Sequence, residues 1–155
     1  MTALEHSDSV VIAASVDAVY ALVSDVTRTG EWSPICQECW WNDGGSADVV
    51  GSTFTGRNVT ADRTWETFST VAVAIPGTEF AWLVGDSFVR WGYTLEAIDE
   101  DSTQLTESWL FTEQGIEYFH TKFGDRAQEE IEIRRTAALD GIPRTLAAIK
   151  AIAES

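Results

Sequence analysis

The chain has 155 residues, 45% of them hydrophobic, which is enough apolar material for one compact domain over residues 1–155. Its 25 acidic and 10 basic residues give a formal charge of −15, and such a charge repels the phosphates of nucleic acids and of anionic membrane surfaces. No stretch approaches the roughly 20 apolar residues of a membrane span, and the first residues lack a basic and apolar signal sequence. We therefore predict a cytoplasmic protein with no nucleic-acid partner and no membrane insertion.

A strand and two short helices are predicted at the start of the chain. Apolar residues near 5–13 indicate the strand. Ser15 is a suitable N-cap for a helix over residues 16–23, where apolar residues recur at helical spacing. Pro34 limits the following segment to a brief helical turn around residues 28–32.

Six further strands are predicted downstream, where strand-like runs alternate with short turn sequences. Short connections of this kind are typical of antiparallel neighbours. The predicted strands cover residues 35–42, 52–59, 64–75, 80–84, 88–98 and 103–111. With the first strand they form a seven-stranded antiparallel sheet.

Apolar residues recur every three or four positions from Ala127 to Ala153, which predicts a long amphipathic C-terminal helix. Gly141 and Pro143 are expected to kink this helix or to split it in two. Because a strongly curved sheet needs a cover for its concave face, we place the long helix there. The predicted fold class is therefore α+β, with the long C-terminal helix covering the concave face of a curved antiparallel sheet.

The alternation of side chains along the strands assigns an aromatic set with a few polar members to the face that meets this helix. Large apolar walls with few polar groups are typical of small-molecule pockets. A solid aromatic core with buried hydroxyls is the alternative. The candidate ligand-binding residues of the pocket hypothesis are Trp32 at the mouth, Phe54, Asn58, Trp65, Thr67, Trp82, Trp91, Tyr93, Glu107, Trp109 and Phe111.

An acidic residue, Glu107, shares the inward phase of the last strand with Leu105 and Trp109. An ionised carboxylate in an apolar site is costly, so it must find a partner or have its pKa raised. One interpretation is a structural acid that is bonded to a protein donor. The other is a group that orients a ligand or transfers a proton, which makes Glu107 the candidate catalytic residue.

Cys36 and Cys39 form a C-x-x-C motif within a predicted strand. Residues three apart on a strand point to opposite faces, so we interpret them as two small, half-buried thiols. A tetrahedral zinc site needs two more ligands, and neither His6 nor His120 has a cysteine beside it. The chain also lacks a Gly-rich phosphate loop and the motifs of metalloproteases and serine hydrolases. We predict neither a metal nor a cofactor.

Five segments resemble the START-like helix-grip superfamily, also called SRPBCC, which includes polyketide cyclases/dehydrases, lipid-transfer domains and plant pollen allergens. The segments are SVDAVYALVSDVTRTGEWSP at 15–34, VGSTFTGRN at 50–58, RTWETFSTV at 63–71, WGYTLEAID with TQLTESW at 91–109, and GIPRTLAAIK at 141–150. The resemblance covers nearly the whole chain, which is similar to the small bacterial members labelled polyketide cyclase/dehydrase. It implies a sheet that grips the C-terminal helix around a hydrophobic cavity. It also implies binding of lipids, sterols, polyketides or other aromatic metabolites, with catalysis in some members.

Our leading hypothesis is a protein that binds a hydrophobic, partly aromatic small molecule, with Asn58 and Glu107 orienting its polar atoms. Because a carboxylate repels another carboxylate, a cationic or hydroxylated ligand would suit Glu107 better than a fatty acid. The second hypothesis is a polyketide cyclase or dehydratase in which Glu107 transfers a proton while Tyr93 or Asn58 holds a carbonyl. The third is a filled-core module that interacts with a partner, including a second copy in a homodimer.

Overall fold

An antiparallel sheet of seven strands forms the framework of the protein, as the sequence predicts. The computed structural model describes residues 4–155. The strands are β1 (Glu5–Ile12), β2 (Cys36–Trp41), β3 (Thr53–Thr60), β4 (Arg63–Ile75), β5 (Glu79–Val84), β6 (Val89–Asp99) and β7 (Ser102–Phe111). Their order across the sheet is β1-β7-β6-β5-β4-β3-β2. Strands β2 to β7 are therefore a meander, and β1 pairs with β7 at the opposite edge from β2.

Two of the three α-helices are capped by hydroxyl side chains at their N-termini. They are α1 (Val16–Val23), α2 (Glu113–Phe123) and α3 (Ala127–Ala153), with short 3-10 turns at Val26–Glu31 and Gly124–Arg126. The Oγ of Ser15 accepts a hydrogen bond from the Ala18 N–H at 3.2 Å, and Thr112 caps α2 through the Gly115 N–H at 3.0 Å. Each bond satisfies a donor that the first helical turn leaves free. The predicted cap at Ser15 and the two short helical segments after β1 are confirmed.

The C-terminal helical region is interrupted at Gly124, which has a φ of +54°, and not at Gly141 or Pro143. Of the two outcomes expected at Gly141 and Pro143, a kink or a split, the split is wrong, because α3 continues through both residues. Pro143 lies on the exposed side of α3, where water can bond the carbonyl that the proline leaves without a donor. Within residues 4–155, no helix is long and apolar enough to cross a membrane.

The main core lies where α3 packs against β1 and β7. Apolar residues of the helix meet the inward side chains of the sheet there, and all of them are almost fully buried. They include Ile131, Ala138, Ile142, Leu146 and Ile149 of α3 with Ile12, Leu105 and Trp109 of the sheet. A second cluster, formed by Val26, Cys39, Phe54, Val71 and Phe80, lies towards β2 to β5.

The inward alternation of β4 is interrupted by an irregularity in its pairing with β5. Val71 pairs with Trp82, but Val73 pairs with Ala81, so one residue of β4 has no partner of its own. An extra residue of this kind shifts the phase of the side chains by one position. Ala74 consequently packs against the second cluster, where unbroken alternation predicts Val73.

Candidate functional site

A cavity of about 450 Å³ lies between the inward face of the sheet, α2 and the middle of α3. The interior is therefore not the solid aromatic core of the alternative interpretation. Ten of the eleven residues predicted for a pocket line this cavity: Trp32, Phe54, Asn58, Trp65, Thr67, Trp82, Trp91, Tyr93, Glu107 and Trp109.

Phe111 is the predicted pocket residue that lies elsewhere. It is 2% exposed and packs edge-on against Phe119 of α2, with 4.9 Å between the ring centroids. Because Thr112 begins α2 directly after β7, the helix folds back over Phe111 and encloses it in the core. Alternation predicts its face correctly, but it does not predict that a helix covers that end of the strand.

The apolar wall is built around Trp82 of β5. Its ring lies 6.0 Å from Phe54, 5.9 Å from Phe80 and 5.9 Å from Tyr93, measured between centroids, in edge-on or tilted arrangements. Such contacts add to the stabilisation from burial and hold the rings in defined positions. The wall is therefore rigid on the side of β3, β5 and β6.

A chain of hydrogen bonds joins three of the predicted polar or aromatic residues at this wall. The indole N–H of Trp32 donates to the hydroxyl of Tyr93, and this hydroxyl donates to the carboxyl of Glu107. Trp32 was expected to lie at the mouth of the pocket, but it is 5% exposed and lies inside. The 3-10 turn that precedes Trp32 carries its indole inwards to Tyr93.

Burial raises the pKa of Glu107 to about 8, although the hydrogen bond from Tyr93 acts in the opposite direction. The carboxyl is therefore mainly protonated at neutral pH. Its Oε1 atom is buried and has no hydrogen-bond partner within residues 4–155. Burial, followed by the charge of Glu107, also raises the pKa of Tyr93, so its hydroxyl keeps its proton. A neutral acid with one unsatisfied oxygen remains at the cavity wall.

Asn58 and Thr67 form a second polar group in the wall. The side-chain amide nitrogen of Asn58 donates to the Oγ of Thr67 at 3.2 Å and to the carbonyl of Trp65 at 3.4 Å. Both amide hydrogens therefore have protein acceptors, and the amide oxygen is the atom of Asn58 that can serve a ligand as an acceptor.

The rim of the cavity carries basic residues that the sequence analysis did not select. Arg63 stacks on the ring of Trp65 at 4.6 Å, and Lys122 lies 5.7 Å from the ring centroid of Tyr118. Arg134 also lines the cavity, and it pairs with Glu130. Among residues 4–155, Arg63 and Lys122 form no salt bridge. The sequence offered one signal for this rim: a chain with few basic residues carries one of them, Arg63, at the start of β4.

The two cysteines lie on the same side of the sheet, which contradicts the prediction that they point to opposite faces. Their Sγ atoms are 3.2 Å apart, and both residues line the cavity. The pairing of β2 with β3 shifts register between Cys36 and Glu38. This bulge inserts one extra position, so residues three apart regain the same face.

Comparison with known proteins supports this architecture. The protein is 56% identical to the polyketide-cyclase-like protein Cgl2372 from Corynebacterium glutamicum, with a TM-score of 0.71, 97% of this chain covered and 91% of the other. It superimposes on the Zhui aromatase/cyclase from Streptomyces sp. R1128 with a TM-score of 0.76 at 17% identity, covering 97% and 93% of the two chains. A START superfamily protein from Mycobacterium smegmatis has a TM-score of 0.56 at 20% identity, over 70% and 76% of the chains.

Similarity at such low identity to the last two proteins shows the shared fold alone. A search of curated proteins gave no significant match. A family model described as polyketide cyclase / dehydrase and lipid transport matches residues 3–146. Since this match covers nearly the whole chain, the protein belongs to the polyketide cyclase / dehydrase and lipid transport family.

Proposed function

We propose that the protein binds a hydrophobic, partly aromatic small molecule in the cavity between the sheet and the C-terminal helix. The observation that carries this proposal is a cavity of about 450 Å³ whose wall is formed by indole and phenyl rings with a few polar groups. Its size lies within the range of roughly 300–1,000 Å³ that small-molecule sites occupy. The cavity also weakens the hypothesis of a filled-core interaction module or homodimer.

The protonation state of Glu107 indicates which chemical group the ligand carries at its inner end. A protonated carboxyl neither attracts a cation nor repels an anion, so the expected preference for a cationic ligand loses its basis at neutral pH. Tyr93 already donates its hydroxyl hydrogen to Glu107. The unsatisfied Oε1 of Glu107 is therefore the group that meets a hydroxyl or carbonyl of the ligand.

The charged residues at the rim indicate which chemical group the ligand carries at its outer end. Three of the ten basic residues line the cavity, whereas two of the 25 acidic residues, Glu66 and Glu107, do so. This distribution is opposite to that of the chain as a whole. Arg63 and Lys122, which have aromatic neighbours but no acidic partner among the described residues, favour an acidic group at the mouth. The proposed ligand is an apolar ring system with an acidic group at one end.

Three probes that share one ring system test this proposal: naphthoate, naphthol and naphthylmethylamine. Binding can be measured by quenching of tryptophan fluorescence and checked by calorimetry at pH 7. We expect naphthoate to bind most tightly, naphthol less tightly and the amine least. Native mass spectrometry of the protein from its own host would then identify a co-purified molecule.

The proposal is wrong if none of the three probes binds, because the cavity would then not accept an aromatic ring. Tightest binding of the amine would contradict the role of the rim while leaving the cavity site intact. Glu107→Leu separates the inner site from the rim, since it removes both carboxyl oxygens and keeps a side chain of similar size. If naphthol and naphthoate bound this variant as they bind the unchanged protein, Glu107 would have no part in recognition.

A second candidate function is a dehydratase or cyclase step, and the protonated state of Glu107 favours it. A neutral carboxyl at the cavity wall can give its proton to a ligand hydroxyl that leaves as water, and the resulting carboxylate can accept a proton in turn. The hydroxyl hydrogen of Tyr93 is directed to Glu107, so Tyr93 would have to give up this bond to hold a carbonyl of the ligand. Perturbed carboxyl groups in clefts are typical of catalytic sites.

The benzaldehyde–acetone aldol is a suitable probe, because its dehydration produces a strongly absorbing enone. An active protein would lose activity as pH rises through about 8, where Glu107 loses its proton. Glu107→Gln should abolish that activity. Turnover that survives this substitution would exclude Glu107 as the acid, and binding without turnover would leave the binding function alone.

A further inference from the structure

The thiols of Cys36 and Cys39 form a close pair at the cavity wall. Their Sγ atoms are 3.2 Å apart, and the bulge in β2 directs both to the same side. A disulfide bond is about 2.05 Å long, so small rotations of the two side chains would bring the sulfurs to bonding distance. Both residues line the cavity, which provides a route for a small reagent to reach them.

The opposite strand leaves space for this pair at Gly56. Gly56 is the cross-strand partner of Cys39. A Cβ atom at this position would lie 3.2 Å from each of the two Sγ atoms. This distance is shorter than an ordinary van der Waals contact, so the two sulfurs would have to shift by a few tenths of an ångström to admit a Cβ atom. Glycine at this point of β3 leaves room for the pair.

The surroundings of the two thiols differ. The hydrogen bond from Cys36, and more weakly that from Thr29, holds the pKa of Cys39 below its ordinary value. The pKa of Cys36 is raised, first by its hydrogen bond to Cys39 and then by burial. Because the thiolate is the reactive form of cysteine, Cys39 is the better nucleophile and Cys36 retains the shared proton.

We propose that Cys36 and Cys39 are a redox-active dithiol that exchanges with small-molecule disulfides entering the cavity. The thiolate of Cys39 attacks one sulfur of the small disulfide, forms a mixed disulfide and releases one small thiol. Cys36 then loses its proton and attacks the Sγ of Cys39, which forms the Cys36–Cys39 disulfide and releases the second thiol. Two protein thiols are oxidised, and one small disulfide is reduced to two thiols.

This assignment is independent of the molecule that occupies the rest of the cavity. It explains why two cysteines lie in contact at a bulge opposite a glycine, an arrangement that packing of two small apolar side chains does not require. The disulfide would form within the wall beside Asn58, the partner of Cys36 across the strands.

Oxidised glutathione serves as the probe disulfide. The full chain is reduced, freed of reductant, exposed to the probe and quenched with acid. Remaining thiols are then alkylated under denaturing conditions and counted by intact mass. We expect both thiols to disappear together, with no lasting glutathione adduct. Wild-type protein that keeps both thiols alkylatable, or that accumulates an adduct on either cysteine, would overturn the proposal.

Two single variants test the order of attack. Cys36→Ser should trap a stable glutathione adduct on Cys39, whereas Cys39→Ser should react at least about tenfold more slowly. In concentrated urea the two variants should react at equal rates, since the difference comes from the folded environment. Circular dichroism checks that both variants are folded. Equal rates in the folded state, or faster reaction of Cys39→Ser, would refute the assigned roles.

Discussion

Tyr93 of β6 and Glu107 of β7 lie directly opposite each other in the sheet, and the hydroxyl of Tyr93 donates a hydrogen bond to the carboxyl. Antiparallel register places their side chains on the same face, at the wall of the cavity. Trp32 completes the chain of donors by bonding the Tyr93 oxygen. The acid is therefore held in place by one protein donor, while its second oxygen remains unsatisfied.

Replacement of Glu107 by glutamine should change how stability depends on pH. The folded-state pKa of about 8 lies above the ordinary value of 4.5, so between these values the folded protein holds a proton that the unfolded chain releases. The free energy of unfolding then falls as pH rises, by up to about 1.4 kcal/mol per pH unit. Glu107→Gln removes this contribution. The unfolding free energy of the variant, relative to that of the unchanged protein, should therefore increase from pH 5 to pH 8.

Urea denaturation of both proteins at pH 5, 6.5 and 8 measures this effect. The other acidic residues titrate in both proteins, so they cancel in the difference. A difference in unfolding free energy that stays constant across this range would show that the Glu107 pKa is not raised.

Removal of the Tyr93 hydroxyl should raise the pKa of Glu107 further. The hydrogen bond from Tyr93 stabilises the ionised carboxylate and lowers its pKa, against the effect of burial. Tyr93→Phe removes this bond and keeps the ring. Infrared spectroscopy detects the band of the protonated carboxyl, and the band of Glu107 is the one that is missing in Glu107→Gln. In Tyr93→Phe this band should persist to higher pH than in the unchanged protein. Its disappearance at lower pH would contradict the assigned bond.

Two aromatic residues on the same face of the sheet should respond differently to the same substitution. Phe111 is buried in the core, so Phe111→Leu should cost about 1–2 kcal/mol of stability without weakening naphthoate binding. Trp91 lines the cavity and is half-buried, so Trp91→Leu should weaken binding about three- to tenfold at a smaller cost in stability. Urea unfolding and fluorescence titration measure the two effects. Loss of binding in Phe111→Leu alone would show that the cavity boundary is misplaced.

The basic rim should give binding of acidic probes a dependence on salt. Lys122→Ala and Arg63→Ala should each weaken naphthoate binding about two- to fivefold at low ionic strength and leave naphthol binding unchanged, since exposed charges contribute little each. The control is Arg144→Ala, which removes a base that pairs with Asp140 on the exposed side of α3. An equal effect of Arg144→Ala would indicate a general charge effect without a rim site.

The cap of α2 should link the stability of this helix to binding. Thr112 accepts from the Gly115 N–H and donates to the carbonyls of Ser87 and Phe88, so it ties α2 to the β5–β6 turn. Thr112→Ala should cost about 1–2 kcal/mol and weaken naphthoate binding, because α2 forms part of the rim. Ser15→Ala removes the cap of α1 and should cost about 1 kcal/mol while leaving binding unchanged. Unchanged binding in both variants would show that α2 does not order the site.

Much of the candidate site follows from the two-residue period of the strands. This period places Glu107, Tyr93 and four sheet tryptophans on the face that lines the cavity, and the cap at Ser15 follows from local chemistry. The errors in side-chain phase have a different cause. The bulges in β2 and β4 change the side-chain phase without a distinctive composition, so the cysteine pair and the inward position of Ala74 could not be read from alternation.

The sequence by itself determined the fold class, the number of strands and the inward position of Glu107, because these depend on local periodicity and on burial of the apolar face. Tertiary structure decided the rest. Packing of α3 on β1 and β7 leaves the cavity open and buries Glu107, which raises its pKa. Docking of α2 brings Lys122 to the rim and encloses Phe111, and the bulge in β2 brings two sulfurs together. Each outcome depends on contacts between distant segments, which no local pattern records.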